Sequence, residues 1–197
     1  NDVLDLLENK RTFYQTMVKY GFEKFIPQLY DQSEALQFPC IKKNESGSGG
    51  KNQVIVYDRK DIGSLTGKEL FCEYLTGKVE YATNILFVNN TVNYHVSFEK
   101  KASSDFYILG VGHNRYSEVG SKLVPCRCLD LFEQILTRFG YQGFCCFDYK
   151  IVEGIPKIFE INPRLGFSNT MHTDSLSASI KAYYEVVSAS NSDWVHQ

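Results

Sequence analysis

Residues 159–164 of this chain read Phe159-Glu160-Ile161-Asn162-Pro163-Arg164, directly after an apolar, strand-like run. In an extended chain, side chains two residues apart point to the same face, so Glu160, Asn162 and Arg164 are expected to project together. Mg²⁺ prefers hard oxygen ligands, such as one or two carboxylates with phosphate oxygens, and Arg neutralises a phosphoryl group in transit. The segment therefore predicts a site for a metal ion and a phosphate.

A second carboxylate is predicted to join this segment from a neighbouring strand. Asp148 alternates with Phe147 and Tyr149, two expected core residues, so its side chain should point to the opposite face. Strands are predicted at 143–150 and 157–161, with Glu153-Gly154 as the turn between them. The alternative is an ordinary hairpin edge that ends in an Asn-Pro turn. Such a turn requires neither a Glu two residues before it nor an Arg two residues after it.

Length and composition exclude several classes of protein. The chain has 197 residues, enough for one large domain or two small lobes, and its 43% hydrophobic and 22% charged residues are ordinary for a globular protein. The 21 Lys and Arg against 23 Asp and Glu leave a net charge of −2, which gives no general attraction to nucleic acid or to anionic membranes. No apolar run reaches the roughly 18 residues of a membrane span. We expect a cytoplasmic protein with no nucleic-acid or membrane partner.

The N-terminus and the cysteines agree with that location. The first residues have no basic region followed by an apolar one, so no signal peptide is expected, and the missing initiator Met suggests a fragment or a processed piece. The six cysteines form no paired CxxC framework and are predicted to be reduced thiols, mostly in the core. Cys126-Arg127-Cys128 could reach a metal, but it has no partner pair. The N-x-S/T triplets at Asn44 and Asn89 are expected to be chance matches.

Periodicity along the chain predicts an α+β fold with antiparallel sheets. Helices are predicted at 3–20, 60–69, 129–139 (closed by Gly140) and 175–187. Further strands are predicted around a hairpin at 38–57, at 70–72, and at 81–88 and 92–98, which a tight Asn89-Asn90 turn connects.

The 38–57 hairpin carries a Gly/Ser-rich loop at residues 44–51. Glycines let backbone N–H groups close on phosphate oxygens, and a Lys at the strand end supplies charge. Lys42 and Lys43 compete for that role, and strand alternation favours Lys43. The loop does not match the Walker pattern, which needs GK[ST] at the start of a helix. A flexible hairpin tip explains the composition equally well.

The segment 73–80 is the third candidate. A strand that leaves one lobe for another presents free backbone groups that suit an adenine edge, and Glu80, seven residues after Glu73, could accept from ribose hydroxyls. The alternative is a solvated strand end with ordinary surface acids.

Taken in chain order, Lys10, Lys43, the 73–80 segment, Asp148 and the 159–164 segment resemble the ATP-grasp superfamily, over roughly residues 8–170. The resemblance is to carbamoyl-phosphate-synthetase-like and related carboxylate–amine ligases. It implies two α+β lobes whose antiparallel sheets clasp ATP. It assigns residues 1–21 to an N-terminal helix packed on the larger lobe, 22–75 to a small lobe with the Gly-rich loop, and 76–197 to a large lobe with the metal site.

The resemblance also implies roles for individual residues. The implied nucleotide-binding residues are Lys10, Lys43, Ser46, Gly47, Ser48, Gly49, Gly50, Glu73, Tyr74, Leu75, Glu80 and His113. The implied ligands of two Mg²⁺ ions, for which Mn²⁺ could substitute, are Asp148, Glu160 and Asn162. Arg164 and Lys43 are the implied catalytic residues, which stabilise the transferring phosphoryl group.

The implied activity is an ATP-dependent ligase that turns a carboxylate into an acyl phosphate, which an amine, less often a thiol, then attacks. Its partners would be ATP and small-molecule carboxylate and amine substrates, with a homodimer as a possible assembly. Two departures matter: Asn44 stands where Pro or Ala is commoner, and the preceding α/β domain of full-length relatives has no counterpart. The alternatives are a non-catalytic ATP-binding module of a larger assembly and a kinase-like phosphotransferase. His172 and Asp174 either line the acceptor pocket or lie in a capping loop, with Asp174 or Ser175 as helix cap.

Overall fold

A computed structural model describes residues 2–30, 36–46, 53–109 and 120–192. Within these ranges the helices are α1 (Asp2–Glu8), α2 (Lys10–Lys19), α3 (Leu129–Phe139), α4 (Phe167–Thr170) and α5 (Thr173–Ser192), with short 3-10 helices at Glu23–Phe25 and Arg59–Ile62. The strands are β1 (Leu29–Tyr30), β2 (Cys40–Asn44), β3 (Val54–Val56), β4 (Glu69–Glu73), β5 (Val79–Val88), β6 (Thr91–Lys101), β7 (Ser121–Val124), β8 (Gly143–Val152) and β9 (Ile155–Asn162). None of the helices in this part of the chain is long and apolar enough to cross a membrane.

The strands form two antiparallel sheets. The small sheet has the order β1-β4-β2-β3, and the large sheet has the order β7-β6-β5-β8-β9. Because all strand pairs are antiparallel and helices accompany both sheets, the α+β prediction is confirmed.

Tight turns set the register of the large sheet. Asn89 and Asn90 both have positive φ, 56° and 57°, as a two-residue type I′ turn between β5 and β6 requires. Glu153 and Gly154, at 51° and 79°, make the same kind of turn between β8 and β9. These two predicted hairpins are therefore confirmed. Each pair of strands also has a register shift away from its turn, at Leu86/Phe87 and at Asp148/Tyr149, which changes the residues that lie opposite each other.

One face of the large sheet forms the main apolar core with α2 and α3. Phe132 of α3 stacks on Phe147 of β8 with ring centroids 4.1 Å apart, and Phe13 and Met17 of α2 join the same cluster. Since neighbouring residues of a strand alternate between faces, burial of Phe147 on this side directs Asp148 to the other face. That other face carries the candidate site, and α4 and α5 pack against part of it, on β5 and β6.

The structure corrects three predicted helices. The predicted helix at 3–20 is two helices, because Asn9 interrupts it and accepts a hydrogen bond from Thr12 N as the cap of α2. The predicted helix at 60–69 is wrong, because only Arg59–Ile62 is helical, as a 3-10 turn, and β4 begins at Glu69. The last helix extends beyond the predicted 175–187 at both ends. The lobe boundaries drawn from the resemblance stay a prediction.

Candidate functional site

A cleft between the two sheets brings together half of the site residues that the sequence singled out. It contains about 750 Å³ of empty space, which includes open solvent at its mouth. Among the predicted residues, its lining includes Lys10, Lys43, Glu73, Tyr74, Leu75, Glu80, Asp148 and Glu160. An adjoining cavity shares Asp148 and Glu160 with the cleft and adds Asn162 and Arg164.

At one end of the cleft the predicted metal ligands contact each other. Asp148 on β8 lies directly opposite Glu160 on β9. The Asn162 amide nitrogen donates to Asp148 Oδ2 and to Glu160 Oε1, both at 3.1 Å. Arg164 Nη2 donates to Asn162 Oδ1 at 3.2 Å. We call Asp148, Glu160 and Asn162 the carboxylate cluster; the sequence spacing predicted this convergence.

Two lysine side chains form ion pairs with the two carboxylates of the cluster. Lys100 Nζ lies 3.1 Å from Asp148 Oδ1, and Lys10 Nζ lies 3.3 Å from Glu160 Oε2. The lysine side chains are only 6% and 7% exposed, and both carboxylates are 22% exposed. Burial raises the pKa of Asp148, while Lys100 opposes that shift. Sequence reasoning missed Lys100, although pairing β5 with β6 places it opposite Glu80.

The donor set of the carboxylate cluster fits Mg²⁺. Two carboxylates and one amide oxygen are hard ligands, and phosphate oxygens commonly complete such a site. Among the described residues, no three His, Cys, Asp or Glu side chains gather at one point, so an all-protein cage of such residues is absent there. The amide of Asn162 turns its nitrogen to the carboxylates, and a half-turn about its last bond would present its oxygen instead.

Lys43 lies in the cleft and Lys42 does not. Lys43 is 5% exposed and donates to the Tyr14 hydroxyl at 2.8 Å, which in turn donates to Phe159 O at 3.1 Å. Burial lowers the pKa of Lys43, but the surrounding Cys72, Tyr14 and Glu160 outweigh it and raise the pKa overall. Lys42 points to the other face of β2 and donates to Ile62 O at 2.5 Å. Lys43 is therefore the lysine that faces the cleft, as strand alternation favoured.

The other end of the cleft is formed by the connection between β4 and β5. Tyr74 and Leu75 are 7% and 6% exposed. Lys150 Nζ donates to Leu75 O at 2.6 Å and to Gly77 O at 2.8 Å, and it lies 4.5 Å from the centre of the Tyr107 ring. Sequence reasoning missed Lys150 too, because its partners lie more than 70 residues away along the chain.

Glu80 lies between the two ends. Burial raises the pKa of its carboxyl group, while Lys100 and Lys150 act in the opposite direction. Its neighbours therefore include both of the lysines that sequence reasoning missed.

The remaining candidates lie at the edge of the site or outside the described residues. Ser46 is exposed just beyond β2, next to Glu45, which Arg11 of α2 holds through an Nε–Oε1 contact of 2.5 Å. The other predicted loop residues and the predicted histidine lie outside the described residues: Gly47, Ser48, Gly49, Gly50 and His113.

The segment around His172 begins the last helix. His172 Nε2 lies 2.9 Å from Ser121 Oγ, and its ring stacks on Phe98 with centroids 4.8 Å apart. Because α5 begins at Thr173, the prediction of Asp174 or Ser175 as its cap is wrong. All six cysteines are free thiols, and four of them are buried, as predicted.

Comparison with known proteins agrees with this geometry. A family model described as the ATP-grasp domain matches residues 7–168. The chain belongs to the ATP-grasp family. The resemblance seen in the sequence and the fold that it implied are thereby confirmed. The strands of the large sheet that line the cleft lie within the matched residues.

The individual proteins that are similar to this chain share little sequence identity with it. An uncharacterised protein of Methanocaldococcus jannaschii is 27% identical over 185 residues, which cover 88% of this chain and 44% of that protein. An L-amino acid ligase from Bacillus licheniformis superposes with a TM-score of 0.63 at 17% identity, over 87% of this chain and 44% of the ligase. A D-alanine–D-alanine ligase from Bacillus anthracis complexed with ATP gives 0.63 at 15% identity, over 88% of this chain and 61% of the ligase. The chain thus spans less than half of the curated relative, and the solved structures share its fold.

Proposed function

We propose that this ATP-grasp chain binds Mg-ATP in the cleft and uses it to activate a carboxylate as an acyl phosphate, which an amine then attacks. The observation that carries the proposal is the carboxylate cluster, with Lys10 and Arg164 against it, at one end of a cleft whose other end is a buried strand connection. The ATP complex of the D-alanine–D-alanine ligase, which has this fold, supports it.

The two ends of the cleft suit the two parts of a nucleotide. The backbone at Tyr74 and Leu75 would contact the base, and the Glu80 carboxylate would accept from ribose hydroxyls. Lys10 and Lys43 would contact the phosphates. The carboxylate cluster would hold Mg²⁺, which would neutralise phosphate charge there.

The proposed reaction has two steps. A carboxylate oxygen of the substrate attacks the γ-phosphorus, and the bond from that phosphorus to the β,γ-bridging oxygen breaks, with its electron pair leaving on ADP. The amine then attacks the acyl carbon, inorganic phosphate leaves, and the amine loses a proton. The chain contributes positioning and charge: Arg164 and Lys43 neutralise the phosphoryl group in transit, and little covalent work falls to the protein.

The test is ADP release by the purified protein with Mg-ATP and paired carboxylate and amine substrates, beginning with amino acids and short peptides. Glu160→Gln and Arg164→Ala should each lower the rate by about 100-fold or more. The first removes a charged ligand of the Mg²⁺, and the second removes positive charge from the transferring phosphoryl group. Glu185→Gln is the matched control, because Glu185 is 67% exposed on α5.

Each outcome of this assay selects one function. ADP release that requires an alcohol and no amine would mean a phosphotransferase. ATP binding without ADP release under any substrate would mean a non-catalytic module. Full activity of Glu160→Gln would show that the metal assignment is wrong.

A further inference from the structure

The carboxylate cluster is already neutralised by protein groups. Each of its two carboxylates has one buried ammonium, Lys100 for Asp148 and Lys10 for Glu160. We propose that these two lysines prevent a divalent cation from binding to the carboxylate cluster in the absence of nucleotide, so that metal binds only together with the nucleotide. This inference rests on the proposed function, because it concerns the same metal and the same phosphates.

The charges explain why a bare cation is excluded. Both lysine side chains are less than 8% exposed, so their attraction to the carboxylates is only weakly screened by solvent. An incoming cation would have to displace both ammonium groups or lie beside them and be repelled. If one carboxylate lost its lysine, its partly buried negative charge would keep only the neutral Asn162 amide as a donor and would have no ammonium beside it, which is the condition that favours metal binding.

The hydrogen bonds of the Asn162 amide also hinder binding of a cation without nucleotide. Its nitrogen faces both carboxylates, and its oxygen accepts from Arg164. All three expected metal ligands are therefore engaged by protein donors at 3.1–3.3 Å. Each of the four carboxylate oxygens thus already has a protein donor within 3.3 Å.

Nucleotide phosphates change this balance. They bring negative charge and oxygen acceptors, with which the ammonium groups of Lys100 and Lys10 can pair instead of with the carboxylates. The carboxylates and the amide oxygen are then free to bind the metal. Each ligand then improves the affinity of the site for the other by the same factor, since the coupling of two binding events is reciprocal. In this view Lys100 and Lys10 are positioning residues that couple metal to nucleotide.

The experiment measures Mn²⁺ binding by electron paramagnetic resonance, which needs no turnover. The wild-type protein should bind free Mn²⁺ weakly, and addition of a nonhydrolysable ATP analogue should strengthen binding. Lys100→Met should bind Mn²⁺ without nucleotide at least about 10-fold more tightly than wild type, within the usual range of such couplings. Lys101→Met is the matched control, because Lys101 is the next residue of β6, is exposed and points to the opposite face.

Two results would overturn the inference. One is wild-type protein that binds Mn²⁺ as tightly without the analogue as with it, which requires no variant. The other is a folded Lys100→Met protein whose Mn²⁺ affinity equals that of wild type, with folding checked by circular dichroism. Lys10→Met, which frees Glu160 instead, repeats the test on the other carboxylate. Failure to bind Mg-ATP at all would reject the proposed function, whereas binding of Mg-ATP together with tight binding of free metal would reject only the inference.

Discussion

The two ends of the cleft are built in different ways. At the carboxylate cluster, side chains from two adjacent strands meet. The short turn at Glu153-Gly154 sets the register as far as Tyr149, and a one-residue register shift between Tyr149 and Asp148 then places Asp148 opposite Glu160. At the strand connection, the backbone lines the site, and Lys150 holds it through Leu75 O and Gly77 O. Paired strands place side chains through alternation and strand register, whereas a backbone segment outside the sheets needs a partner from elsewhere to hold it.

The difference predicts where each end is vulnerable. The carboxylate cluster depends on close packing beneath its strands, because its own side chains already satisfy each other. The strand connection depends on one side chain that satisfies two carbonyl groups. Substitutions at Lys150 and at Gly166 address the two ends separately, and a substitution at Glu80 addresses the region between them.

The largest of these three effects is expected for Lys150→Met. Methionine keeps much of the side-chain length but leaves Leu75 O and Gly77 O without their donor. A buried unsatisfied group costs about 1–3 kcal/mol, so the two together should lower the free energy of unfolding by about 2–6 kcal/mol. The loosened connection should also weaken nucleotide binding. Urea unfolding and calorimetric titration with Mg-ATP measure the two effects.

The matched control is Lys122→Met, since Lys122 is exposed on the edge strand β7. If Lys150 only supports the fold, the variant will lose stability while the affinity of the remaining folded protein for Mg-ATP is unchanged. That result would show that the connection does not contact the base. An unchanged free energy of unfolding would mean that the two carbonyl groups find other donors.

A smaller effect is expected for Gly166→Ala, at the carboxylate cluster. An added Cβ would lie 2.5 Å from Cys146 Sγ and 3.2 Å from Asn84 Oδ1, both buried side chains. Overpacking of this kind typically costs about 1–3 kcal/mol. Because Cys146 is two residues before Asp148 on β8, a shift there should also weaken Mn²⁺ binding with nucleotide. Thermal unfolding and the same resonance titration test both.

The control for this variant is Gly120→Ala, because a Cβ at Gly120 would meet no atom within 4 Å. The conflict can also be relieved from the other side: Cys146→Ala in the Gly166→Ala background removes the closest atom and should recover part of the lost stability. Equal melting temperatures of Gly166→Ala and wild type would mean that β8 shifts to accommodate the added Cβ without loss of stability.

The sequence predicted the features that depend on neighbours along the chain. Positive φ at Asn89 and Asn90 follows from their residue type, and spacing of two placed Glu160 and Asn162 on one face. The break of the first helix at Asn9 was missed, because helical periodicity continues through it while the Asn side chain caps α2.

Features that depend on distant contacts could not be predicted in this way. Lys100 lies 48 residues from Asp148, and Lys150 lies 75 residues from Leu75, so no local pattern connects them. Their burial becomes visible only when the order of strands is known. A Lys inside a mainly apolar strand, such as Lys150 in β8, is nevertheless a signal, because a buried Lys requires a partner.

The smallest effect concerns Glu80 and pH. Burial raises the pKa of this carboxyl group more than Lys100 and Lys150 lower it, so the folded state holds the proton to higher pH than the unfolded state does. Stability should therefore fall as pH rises from the ordinary carboxyl range through the raised pKa toward neutrality. Glu80→Gln removes that dependence. The variant should melt higher than wild type at neutral pH, by an amount that shrinks as pH is lowered toward about 4.5, the ordinary pKa of Glu.

The measurement is the difference in melting temperature between Glu80→Gln and wild type across this pH range, with Glu185→Gln as the baseline. The same variant should bind Mg-ATP less tightly, because a neutral amide accepts from ribose hydroxyls more weakly than a carboxylate does. If Glu80→Gln is more stable than wild type but binds Mg-ATP less tightly, the Glu80 charge destabilises the folded protein and serves to bind the nucleotide. A lower melting temperature at neutral pH would reverse this conclusion: the attraction of Lys100 and Lys150 would exceed the cost of burial, and the charge between the two ends would stabilise the fold itself.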